Sequence, residues 1–251
     1  MAPMLLYAFL WGTNIFAPCP RRVIVYLQEK KIPSSVVTIV TSDEHAKKNN
    51  YPPVPEGQVP ILAIPKDDKP GEYEWLWQSV AIIEYLEDYC DAHPEVTSMP
   101  SMRGRQLQRA QIRGATYWVS EIFEAFGVTV MFGNQEYIDK LKRSSAAPQS
   151  AKEMKARTEP VTAKLDNILP SISDVGALSS GREGVATMAD CALFATWQFC
   201  ISTYGVDLAK GYPNIVKVVE AFNKRPWAIP EGYPGQGMEA WRESWIDGIW
   251  V

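Results

Sequence analysis

The strongest constraint on the fold is a change of pattern near residue 91. Before it, short runs rich in β-branched and aromatic residues alternate with helical runs, which is typical of a small α/β domain. After it, the apolar spacing is helical throughout. The helical stretches are residues 105–132, 151–170, 187–203 and 213–224. We therefore expect an α/β domain over residues 1–91, a linker over 92–104 and an all-helical domain over 105–251.

The order of runs in the first domain predicts its sheet. "MLLYAFL", "PRRVIVYLQEKK" and "SSVVTIV" form a strand, a helix and a strand, and such a unit makes a parallel pair. "ILAIPKDDKPGEYEWLW" predicts an antiparallel hairpin, and "SVAIIEYLEDYC" predicts a helix after it. The sequence thus predicts a small mixed sheet with helices on its faces.

Composition excludes several classes of function. The net charge is −4 and no Lys/Arg-rich run occurs, so we expect no nucleic-acid partner. No apolar run reaches the roughly 18 residues that span a bilayer, and "MAPMLLYAFLWGTN" lacks the basic start of a signal peptide. We therefore expect no membrane partner. The two histidines and four scattered cysteines form no metal or disulfide pattern, so we also expect no metal site and a cytoplasmic location. The cysteines are Cys19, Cys90, Cys191 and Cys200.

Two short motifs in the first domain are candidates for ligand binding. In "GQVPIL", Pro60 begins a strand, so it is either an edge residue or part of a cis turn that directs the backbone of Val59 outward. A cis bond there would cost about 0.5–1 kcal/mol. In "WQSVAIIEYL", Gln78 and Ser79 precede an apolar helix, and Ser79 is a natural N-cap. A helix start can hold a carboxylate, although plain capping is the favoured explanation when this motif is taken alone.

A third motif, "GVATMADCALFATWQF", has a structural explanation. Thr187 and Asp190 have the spacing of a capping box, in which each side chain bonds a backbone amide at the helix start. We expect a buried helix whose first turn is fixed by this pair.

In this order, "PCPRRVIVYLQEKKIP", "GQVPIL", "QSVAIIEYL" and "TMADCALFATWQF" resemble the glutathione transferase family, and the resemblance covers nearly the whole chain. It implies a thioredoxin-like N-terminal domain, an all-helical C-terminal domain, glutathione as co-substrate and a homodimer. Val59, before Pro60, would pair with the cysteinyl backbone of glutathione, and Gln78 with Ser79 would bind its γ-glutamyl carboxylate. His45 is a candidate for the glycine carboxylate. "DEHAKKNN" also fits a solvated turn, which we favour for its two lysines.

The sequence departs from the family pattern at the sulfur. Many relatives have a Ser or Cys at the start of the first helix, but Ala17 takes that position and Cys19 follows two residues later. We expect Cys19 to contact sulfur or substrate rather than to act as a covalent nucleophile, and Trp11, Thr13 or Asn14 to reach the sulfur instead. The next two residues are arginines, and helix geometry predicts that only one of them turns inward.

The electrophile should lie between the two domains. The Trp-rich tail, "RPWAIPEGYPGQGMEAWRESWIDGIWV", is expected to pack back on the body. "ATYWVSEIFEAFGVTVMF" supplies candidate pocket aromatics. The candidates are Tyr117, Trp118, Phe123 and Phe126. We predict conjugation of the glutathione thiolate to a small hydrophobic electrophile; the alternatives are a glutathione-dependent isomerase or lyase, and a non-catalytic ligand-binding or regulatory protein of the same fold.

Overall fold

The structure is a computed structural model in which residues 2–8, 17–56, 59–142, 145–174, 186–229, 239–246 and 249–250 are described. Among these residues, the first part of the chain contains four strands and three helices, of which the four strands and the two longer helices follow the predicted order. These elements are β1 (Met4–Tyr7), α1 (Pro18–Lys30), β2 (Val37–Val40), α2 (Asp43–Lys48), β3 (Ile61–Pro65), β4 (Tyr73–Trp77) and α3 (Ser79–Ala92).

The four strands form one mixed sheet in the order β2-β1-β3-β4. β1 pairs with β2 in parallel, and β3 pairs with both β1 and β4 antiparallel. The parallel pair and the hairpin are therefore as predicted. α2 was not: the Ser42 hydroxyl accepts a hydrogen bond from the His45 amide at 3.0 Å, so "DEHAKK" forms a short capped helix rather than a turn.

From Gln106 onward every named element is a helix. These are α4 (Gln106–Gly133), α5 (Gln135–Leu141), α6 (Pro148–Ile172), α7 (Met188–Tyr204), α8 (Pro213–Asn223) and α9 (Glu239–Glu243). The predicted fold class, an α/β part followed by a helical part, is confirmed. The long helices match the predicted stretches closely, whereas α5 and α9 were not predicted.

One apolar core joins the two parts of the chain. It contains the buried face of α1, including Val23 and Leu27, together with Ile82 of α3 and Phe194 of α7. Because α1 packs against both α3 and α7, the sheet and the helical part share this core. The position of the α1 start relative to α4 and α7 is thereby fixed by burial of apolar surface.

A buried ionic cluster strengthens the same junction. Glu87 of α3 is fully buried; its Oε1 accepts from the Tyr26 hydroxyl at 2.8 Å and lies 2.9 Å from Lys30 Nζ. Its Oε2 accepts from the Ser101 hydroxyl at 2.8 Å and from the Met102 amide at 3.0 Å. This carboxylate therefore ties α1 to the segment that leads into the helical part.

The predicted capping box starts α7. The Thr187 hydroxyl accepts from the Asp190 amide at 3.3 Å, and Asp190 Oδ2 accepts from the Thr187 amide at 2.8 Å. Ser173 also donates to the carboxylate, at 2.9 Å. Burial raises the pKa of Asp190 from 3.8 to about 6, although these hydrogen bonds oppose the shift.

This raised pKa gives a testable dependence of stability on pH. Because folding raises the pKa, the folded state binds the proton more tightly, so the stabilisation is present below pH 3.8 and is lost as the pH rises through about 6. We expect the wild type to gain about 2 kcal/mol over Asp190→Asn between pH 7 and pH 4. Urea unfolding of both proteins at several pH values measures this gap. A gap that does not change with pH would contradict the assignment.

Candidate functional site

The sheet register brings several chain segments to one edge. Tyr7 pairs with Val40 of β2 and with Ile61 of β3, and Ile61 pairs with Trp77 of β4. α2 and α3 begin just after β2 and β4 end at this edge, and the Val59–Pro60 dipeptide lies just before β3. Because α1 leads back to the start of β2, which is parallel to β1, its N-terminal end lies on this same side of the sheet.

This edge holds the five residues that sequence analysis assigned to the backbone and carboxylates of glutathione. Val59 and Pro60 are buried just before β3, and the peptide bond between them is cis. Gln78 and Ser79 stand at the start of α3, and His45 lies in α2. The structure thus brings the predicted residues to one side of the sheet.

The start of α3 differs in one detail from the expectation. The helix begins at Ser79, which is buried, and Gln78 is the N-cap, with no side-chain capping bond. Ser79 is therefore the first helical residue, not the cap. Gln78 has φ 72° and ψ 120°, a conformation that costs a non-glycine residue on the order of 1–3 kcal/mol. Such strain is concentrated at ligand sites, and here it sits beside first-turn amides that lack helical acceptors.

His45 has local partners. Its Nδ1 lies 3.4 Å from both the amide and the hydroxyl of Thr41, and its ring centre is 6.0 Å from that of Tyr51. The side chain is partly exposed, whereas the neighbouring Lys47 and Lys48 are exposed, as favoured above. A contact between His45 and the glycine carboxylate stays a prediction.

The start of α1 has few hydrogen-bond donors. Ala17 is the N-cap and has no hydroxyl, and Pro18 and Pro20 have no amide hydrogen. The Arg21 amide already donates to the Ala17 carbonyl at 3.0 Å. The Cys19 amide is therefore the one donor left in the first turn. Three other predicted contacts lie outside the described residues. They are Thr13 and Asn14, predicted to contact the sulfur, and Trp11, predicted to contact the sulfur or the substrate.

Both arginines of α1 are buried, so the expectation that one is solvated was wrong. Each is 3% exposed. Arg21 Nε donates to Gln198 Oε1 at 2.9 Å, whereas Arg22 donates to Ser120 Oγ at 3.0 Å and to Thr196 Oγ1 at 3.2 Å. The reason is that α1 is sandwiched against the helical part, which supplies polar partners on more than one face.

An apolar cavity of about 450 Å³ lies between α4, α5 and α7. The rings of Phe123 and Phe199 meet edge to face at 6.1 Å in its wall. The lining residues are Phe123, Glu124, Phe126, Gly127, Val128, Val130, Met131, Tyr137, Phe199 and Tyr204. Arg22 connects this cavity to α1, because its guanidinium lies 5.9 Å from the Phe123 ring centre. Such a cavity suits a small apolar molecule.

The predicted pocket aromatics divide into two pairs. Phe123 and Phe126 line the cavity. Tyr117 is 69% exposed, and Trp118 packs against the main core, so neither is in the cavity wall. Tyr117 and Trp118 lie about one and a half to two and a half turns before Phe123 and Phe126 on α4, which places them beyond this cavity wall. Helical spacing in the sequence alone favours core positions for most of these aromatics.

The Trp-rich tail packs behind this cavity, as expected. The Trp245 indole donates to the Tyr204 carbonyl at 3.0 Å, and Asn134 Nδ2 donates to the Trp241 carbonyl at 2.7 Å. Phe126 also faces Trp250, with ring centres 6.2 Å apart. The tail therefore supports residues of the cavity wall from outside.

Cys19 differs from the other three cysteines in exposure. All four are free, but Cys19 is partly exposed and the others are buried. Burial raises the pKa of Cys90 to about 11 and the pKa values of Cys191 and Cys200 well above the usual range. Cys19 is thus the thiol best placed to contact a ligand.

Tyr7 lies at the same sheet edge. Its hydroxyl donates a hydrogen bond to the Pro52 carbonyl at 2.6 Å.

Comparison with known proteins identifies the first part of the chain. Residues 16–89 match the family model described as "Glutathione S-transferase, N-terminal domain". This chain carries the N-terminal domain of the glutathione S-transferase family. The thioredoxin-like fold expected for this part is thereby confirmed. No curated protein matches the chain.

Solved structures extend the likeness to the whole fold. A glutathione S-transferase from Methylobacillus flagellatus KT with glutathione bound is 20% identical, with 89% of this chain and 96% of that chain covered and a TM-score of 0.59. A maleylacetoacetate isomerase from Anaeromyxobacter dehalogenans 2CP-1 with bound glutathione is 24% identical, with 89% and 92% covered and a TM-score of 0.52. Gtt2 from Saccharomyces cerevisiae is 17% identical, with 88% and 97% covered and a TM-score of 0.57. At these identities the likeness establishes the fold.

Two further observations concern the glutathione S-transferase domain and the helices that follow it. Among the described residues, no group of three or more His, Cys, Asp or Glu side chains could hold a metal ion. Within the same ranges, no helix is long and apolar enough to cross a bilayer.

Proposed function

We propose that this protein is a glutathione transferase that joins the glutathione thiolate to a small hydrophobic electrophile. The observation that carries the proposal is the arrangement around α1. α1 belongs to the part of the chain that carries Val59, Gln78 and Ser79, and the guanidinium of its Arg22 lies 5.9 Å from the ring of Phe123, in the wall of the apolar cavity. A tripeptide at the edge would have its sulfur near the α1 start, facing the cavity.

Each part of glutathione has a partner in this proposal. The backbone of Val59 pairs with the cysteinyl residue, and the first turn of α3 with Ser79 holds the γ-glutamyl carboxylate. His45 receives the glycine carboxylate. Cys19 lies beside the sulfur, and the cavity lined by Phe123 holds the electrophile. Thr13 and Asn14 are retained as sulfur contacts and Trp11 as an electrophile contact. Tyr117 and Trp118 lie outside the cavity wall and are not part of this electrophile site.

The reaction requires a thiolate at neutral pH. A free thiol has a pKa near 8.5, so it is mostly protonated, and lowering the pKa by two units needs about 2.7 kcal/mol of preference for the anion. The thiol proton leaves to solvent, the sulfur lone pair forms the bond to the electrophilic carbon, and the leaving group takes the bonding electrons. The protein's part is to bind, orient and favour the anion.

Turnover with glutathione and a generic aryl halide tests the proposal. We expect one glutathione consumed for each product formed, measured by product absorbance and by titration of the remaining thiol. Product formation from another substrate without glutathione consumption would instead identify an isomerase or lyase. Tight ligand binding without any turnover would identify a non-catalytic protein.

Ser79→Ala should weaken glutathione binding by roughly 1–3 kcal/mol, because a hydrogen bond to a charged group is lost. Calorimetric titration measures the affinity. Ser171→Ala is a suitable control, since that exposed hydroxyl donates within its own helix, to the Ile168 carbonyl at 2.7 Å. Equal affinities of the wild type and Ser79→Ala would remove Ser79 from the site.

We also propose a homodimer in the cytoplasm. The dimer follows from the family resemblance, and the four free cysteines support a reducing compartment. Light scattering on the purified 28.2 kDa chain gives the mass directly. A mass of one chain at working concentration would contradict the dimer.

A further inference from the structure

Arg22 is a buried cation without a carboxylate. It is 3% exposed, and its two terminal nitrogens donate to the neutral hydroxyls of Ser120 and Thr196. Its Nε has no hydrogen-bond partner, and no ion pair to Arg22 exists among the described residues. A buried charge that is neither paired nor fully hydrogen-bonded is unfavourable, so its retention needs a reason.

Three other cations with largely buried side chains are each paired with a carboxylate. Arg103 contacts Asp88 and Asp91, each at 2.6 Å. Arg225 lies 2.9 Å from Glu29, and Lys30 lies 2.9 Å from Glu87. Arg22 thus differs from them in environment, not only in position.

Arg22 lies on the face of α1 that also carries Cys19, near the start of the helix. Cys19 lies one helical turn before it on the same face and is partly exposed. Burial lowers the pKa of the Arg22 guanidinium, and among the described residues this shift is opposed by Cys19 of α1, Glu124 of α4 and Cys200 of α7. Glu124 is exposed, and Cys200 is a buried thiol whose pKa is raised. Among the described residues, the carboxylate that interacts with this cation is therefore the exposed Glu124, which forms no ion pair with it.

The prolines at the start of α1 leave few amides that could stabilise an anion there. A helix start usually attracts an anion through several free amides. Here Pro18 and Pro20 remove two of them, the Arg21 amide is already bonded, and Ala17 offers no hydroxyl. A thiolate at this place would receive one amide, from Cys19, and would depend on positive charge from elsewhere.

We propose that Arg22 is the positioning residue whose buried charge stabilises the glutathione thiolate at the start of α1. The inference rests on the proposed function, in which the sulfur lies beside Cys19. Glutathione loses its thiol proton to solvent, and the sulfur retains the electron pair in the field of the guanidinium. Arg22 acts on the sulfur through its electrostatic field, without contacting it, because the side chain is buried beneath the first turn of α1.

The pKa of bound glutathione tests the inference without turnover. The ultraviolet absorbance of the thiolate is followed against pH for the protein loaded with glutathione. The absorbance of the unloaded protein of the same variant is subtracted, which removes the contribution of Cys19. We expect Arg22→Gln to raise the thiol pKa by about one to two units, the effect of one charge at about a helical turn and a half under an effective dielectric constant near 20. Arg22→Lys should recover at least half of the shift.

Arg21→Gln is the matched control, because Arg21 is equally buried and its side chain contacts Gln198. We expect it to lower thermal stability without moving the thiol pKa. Arg22→Met, which fills the same space without charge, is the second variant if Arg22→Gln does not fold. An unchanged thiol pKa in a charge-free variant that still binds glutathione would overturn the inference. A wild type that binds glutathione with a lowered thiol pKa but turns over no electrophile would instead refute only the proposed function, and a wild type that binds no glutathione would refute both.

Discussion

Replacing Glu87 with alanine is expected to lower the free energy of unfolding by about 3–5 kcal/mol, the range for removing one member of a buried ion pair. The carboxylate is fully buried and accepts from Tyr26, Ser101 and the Met102 amide while pairing with Lys30. Its loss would leave a buried ammonium without a counter-charge. Urea unfolding of the purified variant gives the difference.

Two comparisons make the Glu87 result specific. Glu95→Ala should change stability by less than about 1 kcal/mol, because its contact with His93 is exposed. Removing both charges, as in Lys30→Met with Glu87→Leu, should recover much of the loss, because no unpaired charge remains. A loss below about 1 kcal/mol for Glu87→Ala would contradict the role given to this cluster.

Gly127→Phe is expected to reduce conjugation of a hydrophobic electrophile at least tenfold, about 1.4 kcal/mol or more in the transition state. Gly127 lines the apolar cavity, and a Cβ there meets no described atom within 4 Å, so the new ring has room to enter the cavity. Affinity for glutathione should stay the same because the sheet edge is untouched. Steady-state rates at saturating glutathione, with calorimetry for binding, separate the two effects.

Gly114→Phe is the matched control for this cavity. Gly114 is also in α4 and its Cβ position is equally open, but it does not line the cavity. Both substitutions remove a helical glycine and so share a gain of up to about 1 kcal/mol in helix propensity. If the two variants turn over the electrophile at equal rates, the cavity between α4 and α7 is not the electrophile site.

Much of the fold could be predicted because the decisive signals are local in sequence. Thr187 and Asp190 are three residues apart, and their capping box is formed as expected. The β3–β4 hairpin follows from two β-rich runs around a turn. Pro60 at the start of β3 already raised the cis alternative. Pattern and turn chemistry agree at these places, so short-range reasoning suffices.

The features that were missed depend on distant parts of the chain. Arg21 and Arg22 are both buried because they donate hydrogen bonds to residues of the helical part. These partners are Gln198, Ser120 and Thr196, which lie 98 to 177 residues away in the sequence. Helix periodicity on α1 alone therefore could not assign them. α2 is six residues long, too short for an apolar period, and its capping Ser42 was the only signal.

Candidate site residues were predictable to different degrees. The motif residues Val59 and Ser79 reach the same sheet edge because strand register places them there. The strain at Gln78 has no signal in sequence, because any residue type can precede a helix. The aromatic residues of α4 could not be divided between cavity and surface until the position of α7 was known.

The most direct test of the account is a crystal structure with S-hexylglutathione, which carries both the tripeptide and an apolar group on its sulfur. We predict the γ-glutamyl carboxylate at the first turn of α3 beside Ser79, backbone pairing with Val59, the sulfur at the start of α1 near Cys19, and the hexyl chain in the cavity lined by Phe123 and Phe199. A tripeptide bound away from this sheet edge, or a hexyl chain directed away from that cavity, would contradict the account.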